Sequence, residues 1–351
     1  MNVIEPEQFL KLKRYIPVVD VRSPSEYQKG HIPGSYSIPL FDDEQRARVG
    51  TSYKKLGREE AVMEGLRIVG PRMEGLAKSA RDLAGDGHEL VVHCWRGGMR
   101  SESMAWLFEK LGIRCHVLRG GYKHYRNYGR ARLSQPGRVI ILGGYTGSGK
   151  TDILKAMEAQ GQQVLDLEAL ANHKGSAFGG MGQDNQPSNE HFENLLFDRW
   201  MTLNPDQPIW IEDESKMIGK NTIPDELFHV MRSSPVIRIE MNRALRVERL
   251  VREYTGFDKA LLQNAIQRIE KRLGGQNARE ADEAVERGDF YTAVDISLDY
   301  YDKAYRYGLG KRKLSTIYAL PVEEDDPAKN ATLAIGKARE VFDEQSVSRK
   351  G

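Results

Sequence analysis

Cysteine is almost missing from this chain, whose 351 residues include two, Cys94 and Cys115. That excludes a disulfide framework and makes a reducing compartment the natural expectation. Long apolar runs are missing too: no stretch approaches bilayer-spanning length. Met1-Asn2-Val3-Ile4-Glu5-Pro6 has neither the basic start nor the apolar core of a secretory signal. The expected location is therefore cytoplasmic, without a membrane partner. An excess of one charge sign is also absent, since 52 Lys and Arg against 50 Asp and Glu leave a net +2. So small a balance neither demands nor excludes a nucleic acid, and local clusters have to decide. No internal repeat is visible, which argues against a solenoid. At this length the expectation is two domains, each large enough to bury its own core.

What is there centres on Leu90-Val91-Val92-His93-Cys94-Trp95-Arg96-Gly97-Gly98-Met99-Arg100-Ser101. An apolar run of strand length leads to a cysteine, then to a loop with two glycines and two arginines, then to an amphipathic helical pattern. A strand, tight loop and helix N-terminus make a pocket of backbone N–H groups that favours an anion. Cys94 opens that pocket, and the amides with the Arg96 and Arg100 charges would lower its thiol pKa. Such a thiolate can attack sulfur, selenium or phosphorus. The competing reading is a small apolar core residue.

Upstream, Pro6 to Leu10 reads as a short helix and Tyr15 to Arg22 as a strand. In Ser23-Pro24-Ser25-Glu26 the serine can cap, the proline fits the first helical position and the glutamate completes a capping box. Ser37 to Leu40 reads as another strand, and the alternation of strands and helices predicts an α/β fold with a parallel sheet.

Asp20-Val21-Arg22 with Glu26-Tyr27, then Gly30-His31-Ile32-Pro33-Gly34-Ser35, then the Cys94 loop, then Leu118-Arg119-Gly120-Gly121-Tyr122, together resemble a rhodanese domain in order and spacing. The resemblance implies that Cys94 carries a persulfide or its selenium equivalent, held by Arg96, Gly97, Gly98 and Arg100. It makes Asp20 and Arg22 mainly structural. Five residues separate Cys94 from Arg100, one more than in the usual sulfurtransferase loop. In this the loop is similar to that of the related cell-cycle phosphatases, and a wider pocket would suit selenophosphate better than thiosulfate.

Two stretches of this half carry open readings. The insert from Phe41 to Arg72 mixes Arg46, Arg48, Lys54, Lys55 and Arg58 with acids and with Val62, Met63, Leu66 and Ile68; it reads as a solvated helical face or as a substrate lid. The run from Tyr122 to Leu133 interleaves tyrosines and bases, so Lys123, Tyr125, Arg126 and Arg130 either meet RNA or belong to a connector helix with packed tyrosines. Ser134-Gln135-Pro136-Gly137 then marks a boundary.

A second α/β domain follows. Arg138 to Gly143 is a buried strand, and Gly144-Tyr145-Thr146-Gly147-Ser148-Gly149-Lys150-Thr151 matches the P-loop pattern between strand and helix. Gly144, Gly147, Ser148, Gly149, Lys150 and Thr151 are the expected phosphate-binding residues. Their amides and the lysine face a phosphate while the Thr151 hydroxyl can reach magnesium. No metal-ligand set is assigned beyond that. Gln163 to Glu168 and Pro208 to Glu214 read as strands, with Glu212 or Asp213 either a magnesium-holding acid or a plain acidic strand end. After a strand from Pro235 to Met241, Arg243, Arg246, Arg249 and Arg252 lie on a helix. They read as an anion-binding lid or as a solvated face paired with Glu248 and Glu253. His173 to Gly182 is a glycine-rich loop of the kind that closes over substrate. From Asp258 to Gly310 the pattern is a helical appendage. The expected division is 1–133, a rhodanese-like domain; 138–320, a P-loop NTPase-like domain with its appendage; and 321–351, a partly mobile tail.

A rhodanese-like half joined to a P-loop half, with Cys-Trp-Arg-Gly-Gly-Met-Arg-Ser in the first and Gly-Gly-Tyr-Thr-Gly-Ser-Gly-Lys-Thr followed by Ile-Glu-Asp-Glu-Ser in the second, resembles the bacterial tRNA 2-selenouridine synthases. That resemblance implies a transferase acting on the wobble 2-thiouridine in the anticodon stem-loop of certain tRNAs, with no DNA partner. The sulfur would first be alkylated from geranyl diphosphate, and selenium from selenophosphate would then replace the geranylated sulfur. Cys94 would hold the selenium or help deliver it to C2, and the P-loop would grip the diphosphate. Two other classes stay open: a P-loop kinase with a regulatory rhodanese-like domain, and a tRNA-binding sulfur carrier.

Overall fold

The computed structural model describes residues 1–135, 137–174, 185–313 and 316–348. It divides into two compact units: Met1–Arg132 with Glu190–Asp198, and Leu133–Asn189 with Arg199–Gly351. Both are α/β.

In the first unit the strands are β1 (Asn2–Ile4), β2 (Val18–Asp20), β3 (Ser35–Ser37), β4 (Glu89–His93) and β5 (Arg114–Leu118). They form one sheet in the order β1-β5-β4-β2-β3, with every pair parallel. Parallel neighbours need crossover connections, which the helices supply. Burial on both faces explains why β2 and β4 read as continuous apolar runs. Val19, Val21, Leu90, Val92, Phe108 and Val117 are core residues here. The third strand lies at Ser35–Ser37 rather than at Ser37 to Leu40, although the Ile38 and Leu40 amides beyond it still donate to the Asp20 and Val21 carbonyls at 3.1 and 3.3 Å. The insert forms the helices Asp43–Lys55 and Arg58–Val69. Ile68 packs against the core, whereas Val62, Met63 and Leu66 are exposed.

The second unit is built on β6 (Arg138–Gly144), β7 (Gln163–Leu165), β8 (Pro208–Glu212), the short hairpin β9 (Met217–Ile218) and β10 (Asn221–Thr222), β11 (Val236–Met241) and β12 (Ile317–Val322). Its main sheet runs β12-β11-β6-β8-β7, again parallel throughout. β6 is central, and the chain leaves its C-terminal end where the neighbours on either side, β8 and β11, are both later in sequence. In open α/β sheets that is where ligands bind. The helices Lys259–Leu273, Gly275–Arg287 and Phe290–Leu309 make the expected appendage.

Beyond residue 320 the structure corrects the expected tail. The chain completes β12 and then forms the helix Pro327–Ser348, which buries Ala331, Ala334, Ile335, Ala338 and Val341 in the core of the second sheet. Small residues at helical spacing give little hydropathy but a tight packing stripe. No helix among the described residues is long and apolar enough to cross a membrane.

Candidate active site

Two loops hold the expected site residues, one in each unit. In the first, β4 ends at His93 and the helix Met99–Glu109 begins after Gly98, so Cys94 sits at the start of the turn with its side chain 3 % exposed. Gly97 makes the turn possible. Its φ is +63°, and a Cβ there would lie 2.6 Å from the Leu118 carbonyl oxygen. The loop is pinned from behind, where the amides of Tyr122 and Lys123 donate to the carbonyls of Cys94 and Trp95 at 2.9 and 3.0 Å.

The sulfur of Cys94 lies 3.3 Å from the Ser101 hydroxyl. Burial pushes the thiol pKa up, but the Ser101 hydroxyl, the backbone amides of Gly98 and Arg96, and the Arg100 charge outweigh it. The net direction is downward, toward the thiolate. The arginines contribute less than their sequence positions suggest. Arg96 is exposed and acts on the sulfur through its amide, while the Arg100 guanidinium is paired with Glu26 at 2.7 Å. Ser101, fully buried, is the contributor outside the expected set. Cys115 is the contrast: buried in β5 without such donors, its thiol is pushed up to about 12.

Asp20 and Arg22 form a buried pair, the guanidinium donating to both carboxylate oxygens and to the Gly30 carbonyl. Arg22 also lies 3.8 Å from the Tyr122 ring centre. This is the structural role expected of them. Capping by Ser23 and Glu26 is present as well, the Ser23 amide donating to Glu26 at 3.1 Å.

Of the two readings of the helix Gly121–Leu133, RNA-facing or with packed tyrosines, the side-chain placement matches the second. Tyr125 is fully buried between Phe9 and Phe197, with ring centres at 5.9 and 4.9 Å, so it cannot stack on a base. Arg126 donates to Glu193 at 2.6 Å and Arg130 to the same carboxylate at 2.9 Å. Lys123 is exposed. The acids come from 190–198, a segment of the second half that packs in the first unit. Tyrosines on a basic helix are thus core residues here, and the bases satisfy acids that sequence proximity does not reveal.

In the second unit the P-loop follows β6 and Lys150 begins the next helix, Lys150–Ala159. Gly147 has φ +82°, and a Cβ on it would meet Leu250 and the Arg246 carbonyl at 2.9 and 3.0 Å. Gly144, Gly147, Gly149, Lys150 and Thr151 all line one cleft of about 570 Å³. Ser148 does not. Its hydroxyl is buried against Gly144 without a hydrogen-bond partner.

Of the two strand-end acids, the structure separates the roles. The Lys150 ammonium lies 3.4 Å from Glu212, and the Thr151 hydroxyl lies 3.3 Å from Glu212 and 3.2 Å from Glu168. Asp213 instead accepts from the buried Arg312 at 2.7 Å, which commits it to a structural pair. Sequence reading missed Glu168 and Glu214. With Glu212 they place three carboxylates within reach of one ion. Burial, then the neighbouring Glu212 and Glu214 charges, push Glu168 up to about 9; burial and Glu212 push Glu214 up to about 8. Lys150 stays protonated, because the same carboxylates outweigh its own burial. A signal for Glu168 did exist. Asp166 caps the helix Leu167–Ala171 by accepting from the Ala169 amide at 2.9 Å, and an Asp-x-x-Ala start after a short apolar run is a helix signal.

The arginine row on the helix Arg243–Tyr254 is neither a free lid nor paired with its own glutamates. Arg243 meets Asp295 and Asp299, Arg246 makes a bidentate buried pair with Asp302 at 2.8 and 2.9 Å, and Arg249 and Arg252 share Asp325. Residues three apart sweep around a helix, so Arg243, Arg246 and the Arg249–Arg252 pair meet different neighbours. Arg246 also donates to the Thr146 carbonyl at 3.1 Å and so braces the P-loop. Of the expected glycine-rich loop, Gly175 to Gly182 lies outside the described residues. Lys174 pairs with Glu253.

Comparison with known proteins agrees with this two-part layout. Residues 5–128 match the model of the rhodanese-like domain, and residues 137–324 match that of the tRNA 2-selenouridine synthase AAA domain. The chain is similar to the tRNA 2-selenouridine synthase of Nitrosomonas europaea, at 32 % identity over 86 % of this chain and 91 % of that protein. It is also similar to those of Hahella chejuensis, at 34 % over 84 % and 86 %, and Bdellovibrio bacteriovorus, at 36 % over 84 % and 76 %. A cysteine loop biased toward thiolate, a phosphate loop in a separate unit and similarity over most of the length converge, and the chain belongs to the tRNA 2-selenouridine synthase family.

Proposed function

We propose that this protein is a tRNA-modifying transferase that converts wobble 2-thiouridine to 2-selenouridine in two steps. The first is S-geranylation from geranyl diphosphate, and the second is replacement of the geranylated sulfur by selenium from selenophosphate. In the first step the thiocarbonyl sulfur attacks the allylic carbon, a C–S bond forms and the C–O bond to diphosphate breaks. Lys150 and the amides of Gly147 and Gly149 grip the departing diphosphate. In the second, a C–Se bond forms at C2 and the C–S bond breaks, with geranylthiol leaving. Alkylation makes that departure possible, because a thiol is a far better leaving group than a thiocarbonyl sulfur. Selenium enters at the selenide level, so no oxidant is needed. Cys94 assists by attacking phosphorus and freeing selenide from selenophosphate, leaving a phosphorylated cysteine that water hydrolyses.

The observation that carries this reading is the pairing, within one chain of this family, of a thiolate-stabilising loop at Cys94 with a phosphate loop at Lys150. The donor set around Thr151 also suits magnesium: Glu168, Glu212 and Glu214 supply hard oxygen ligands, and their crowding is what a divalent cation would relieve. Bound there it would neutralise charge on a leaving diphosphate. The test is to assay geranylation and selenation separately on thiolated and on geranylated anticodon stem-loop RNA. Lys150→Ala should lose the first and Cys94→Ser the second. Normal geranylation by Lys150→Ala, or full-rate selenation by Cys94→Ser, would overturn the respective assignment.

A further inference from the structure

The helical appendage does not close over a single core. Together with the helix Arg243–Tyr254 it buries its apolar side chains in two clusters, one containing Leu262 and Ile266, the other Leu250, Val294 and Leu298. Between them runs an apolar seam lined by residues of both. Thr146, Leu250 and Tyr301 line the seam and also the P-loop cleft, so the two cavities share a wall at the phosphate site. None of the carboxylates of the cleft lines the seam. Its serine, Ser297, spends its hydroxyl on the Ala293 carbonyl at 2.8 Å.

We propose that this seam is the subsite for the hydrocarbon chain of the prenyl diphosphate whose head group lies in the P-loop. The inference rests on the diphosphate reading of Lys150 and adds where the chain goes. An anion-gripping loop joined to an apolar seam is complementary to a ligand with a charged head and a hydrocarbon tail. A nucleotide would find only the Thr146 and Tyr301 hydroxyls along an otherwise apolar wall for its ribose or base. The seam measures about 20 Å³, room for about one water, and an apolar cavity of that kind stays dry. The chain therefore enters by parting the two clusters, exchanging their mutual contact for contact with itself.

Equilibrium binding to the full-length protein tests this with three probes: inorganic diphosphate, dimethylallyl diphosphate and geranyl diphosphate. Geranyl diphosphate should bind at least about tenfold more tightly than the dimethylallyl compound, since each added buried methylene favours binding. Val294→Phe, which fills the seam, should erase that preference while inorganic diphosphate binds as before. Because the variant can misfold, the unsubstituted protein is also labelled with a prenyl diphosphate bearing a diazirine at its distal end, and the adduct should map to the seam, at Leu250 or within residues 262–301. Retention of the chain-length preference in Val294→Phe with diphosphate binding intact, or labelling elsewhere, would overturn the subsite and leave the P-loop reading standing. Diphosphate binding that is absent, or indifferent to Lys150→Ala, would overturn the reading beneath it and the subsite with it.

Discussion

The buried hydroxyl of Ser101 lies 3.3 Å from the sulfur of Cys94 and donates in turn to the Gly98 carbonyl at 3.0 Å. A rotatable hydroxyl in that position can serve either oxygen or sulfur, and ionisation of the thiol turns it toward sulfur. Seven residues apart in sequence, the two are joined because the loop folds back onto the first turn of its own helix.

Replacing Ser101 by alanine should therefore move the pH profile of Cys94 alkylation to higher pH. The rate at pH 7 should fall by about tenfold, as for loss of ~1.4 kcal/mol from one hydrogen bond to a charged group. Iodoacetamide labelling followed by mass spectrometry separates Cys94 from Cys115. An unchanged profile would remove the hydroxyl from the account of this thiol.

The three carboxylates at Thr151 predict a pH-dependent stability. Glu168 and Glu214 titrate at about 9 and about 8 in the folded protein, well above the ordinary glutamate value of 4.5. The folded state thus binds more protons than the unfolded one between roughly pH 4.5 and 9, and stability falls as pH rises through that window. Without divalent cations the Tm should drop steadily from pH 5.5 to 9. Magnesium should restore more of it at pH 8.5 than at pH 6, since it competes with protons for the same oxygens. Glu168→Gln should flatten the slope; an equally steep slope in that variant would assign the effect to other groups.

Arg312 is buried against Asp213, and its guanidinium also donates to the Met231 carbonyl at 2.8 Å. Removing it strands a carboxylate, so Arg312→Met should cost about 3–5 kcal/mol in urea unfolding. Adding Asp213→Asn should recover a substantial part. Additive losses in the double variant would show that the two side chains do not act as a pair.

Tyr125 offers a test of the buried reading of the helix Gly121–Leu133. Its hydroxyl is buried with no hydrogen-bond partner, so Tyr125→Phe should be neutral or stabilising and leave RNA affinity unchanged. Tyr125→Ala should cost about 3–5 kcal/mol through the cavity it opens. A loss of RNA affinity in Tyr125→Phe at unchanged Tm would return this residue to the RNA-facing set.

What the sequence determined by itself was everything governed by short-range rules. The Cys94 loop, the P-loop from Gly144 to Thr151, the capping of the helix Pro24–Lys29 and the strand–helix alternation each depend on residues a few positions apart, whose backbone demands allow few alternatives. What only the tertiary structure decided was which distant charges meet. Asp213, one of two candidate strand-end acids, is the partner of Arg312, Glu168 joined Glu212 at Thr151, the bases of the helix Gly121–Leu133 found Glu193, and the small residues of the helix Pro327–Ser348 found a core. An ion pair or packing stripe is specified by proximity in space. Periodicity along the chain records which face a side chain occupies, and carries no information about what that face will touch.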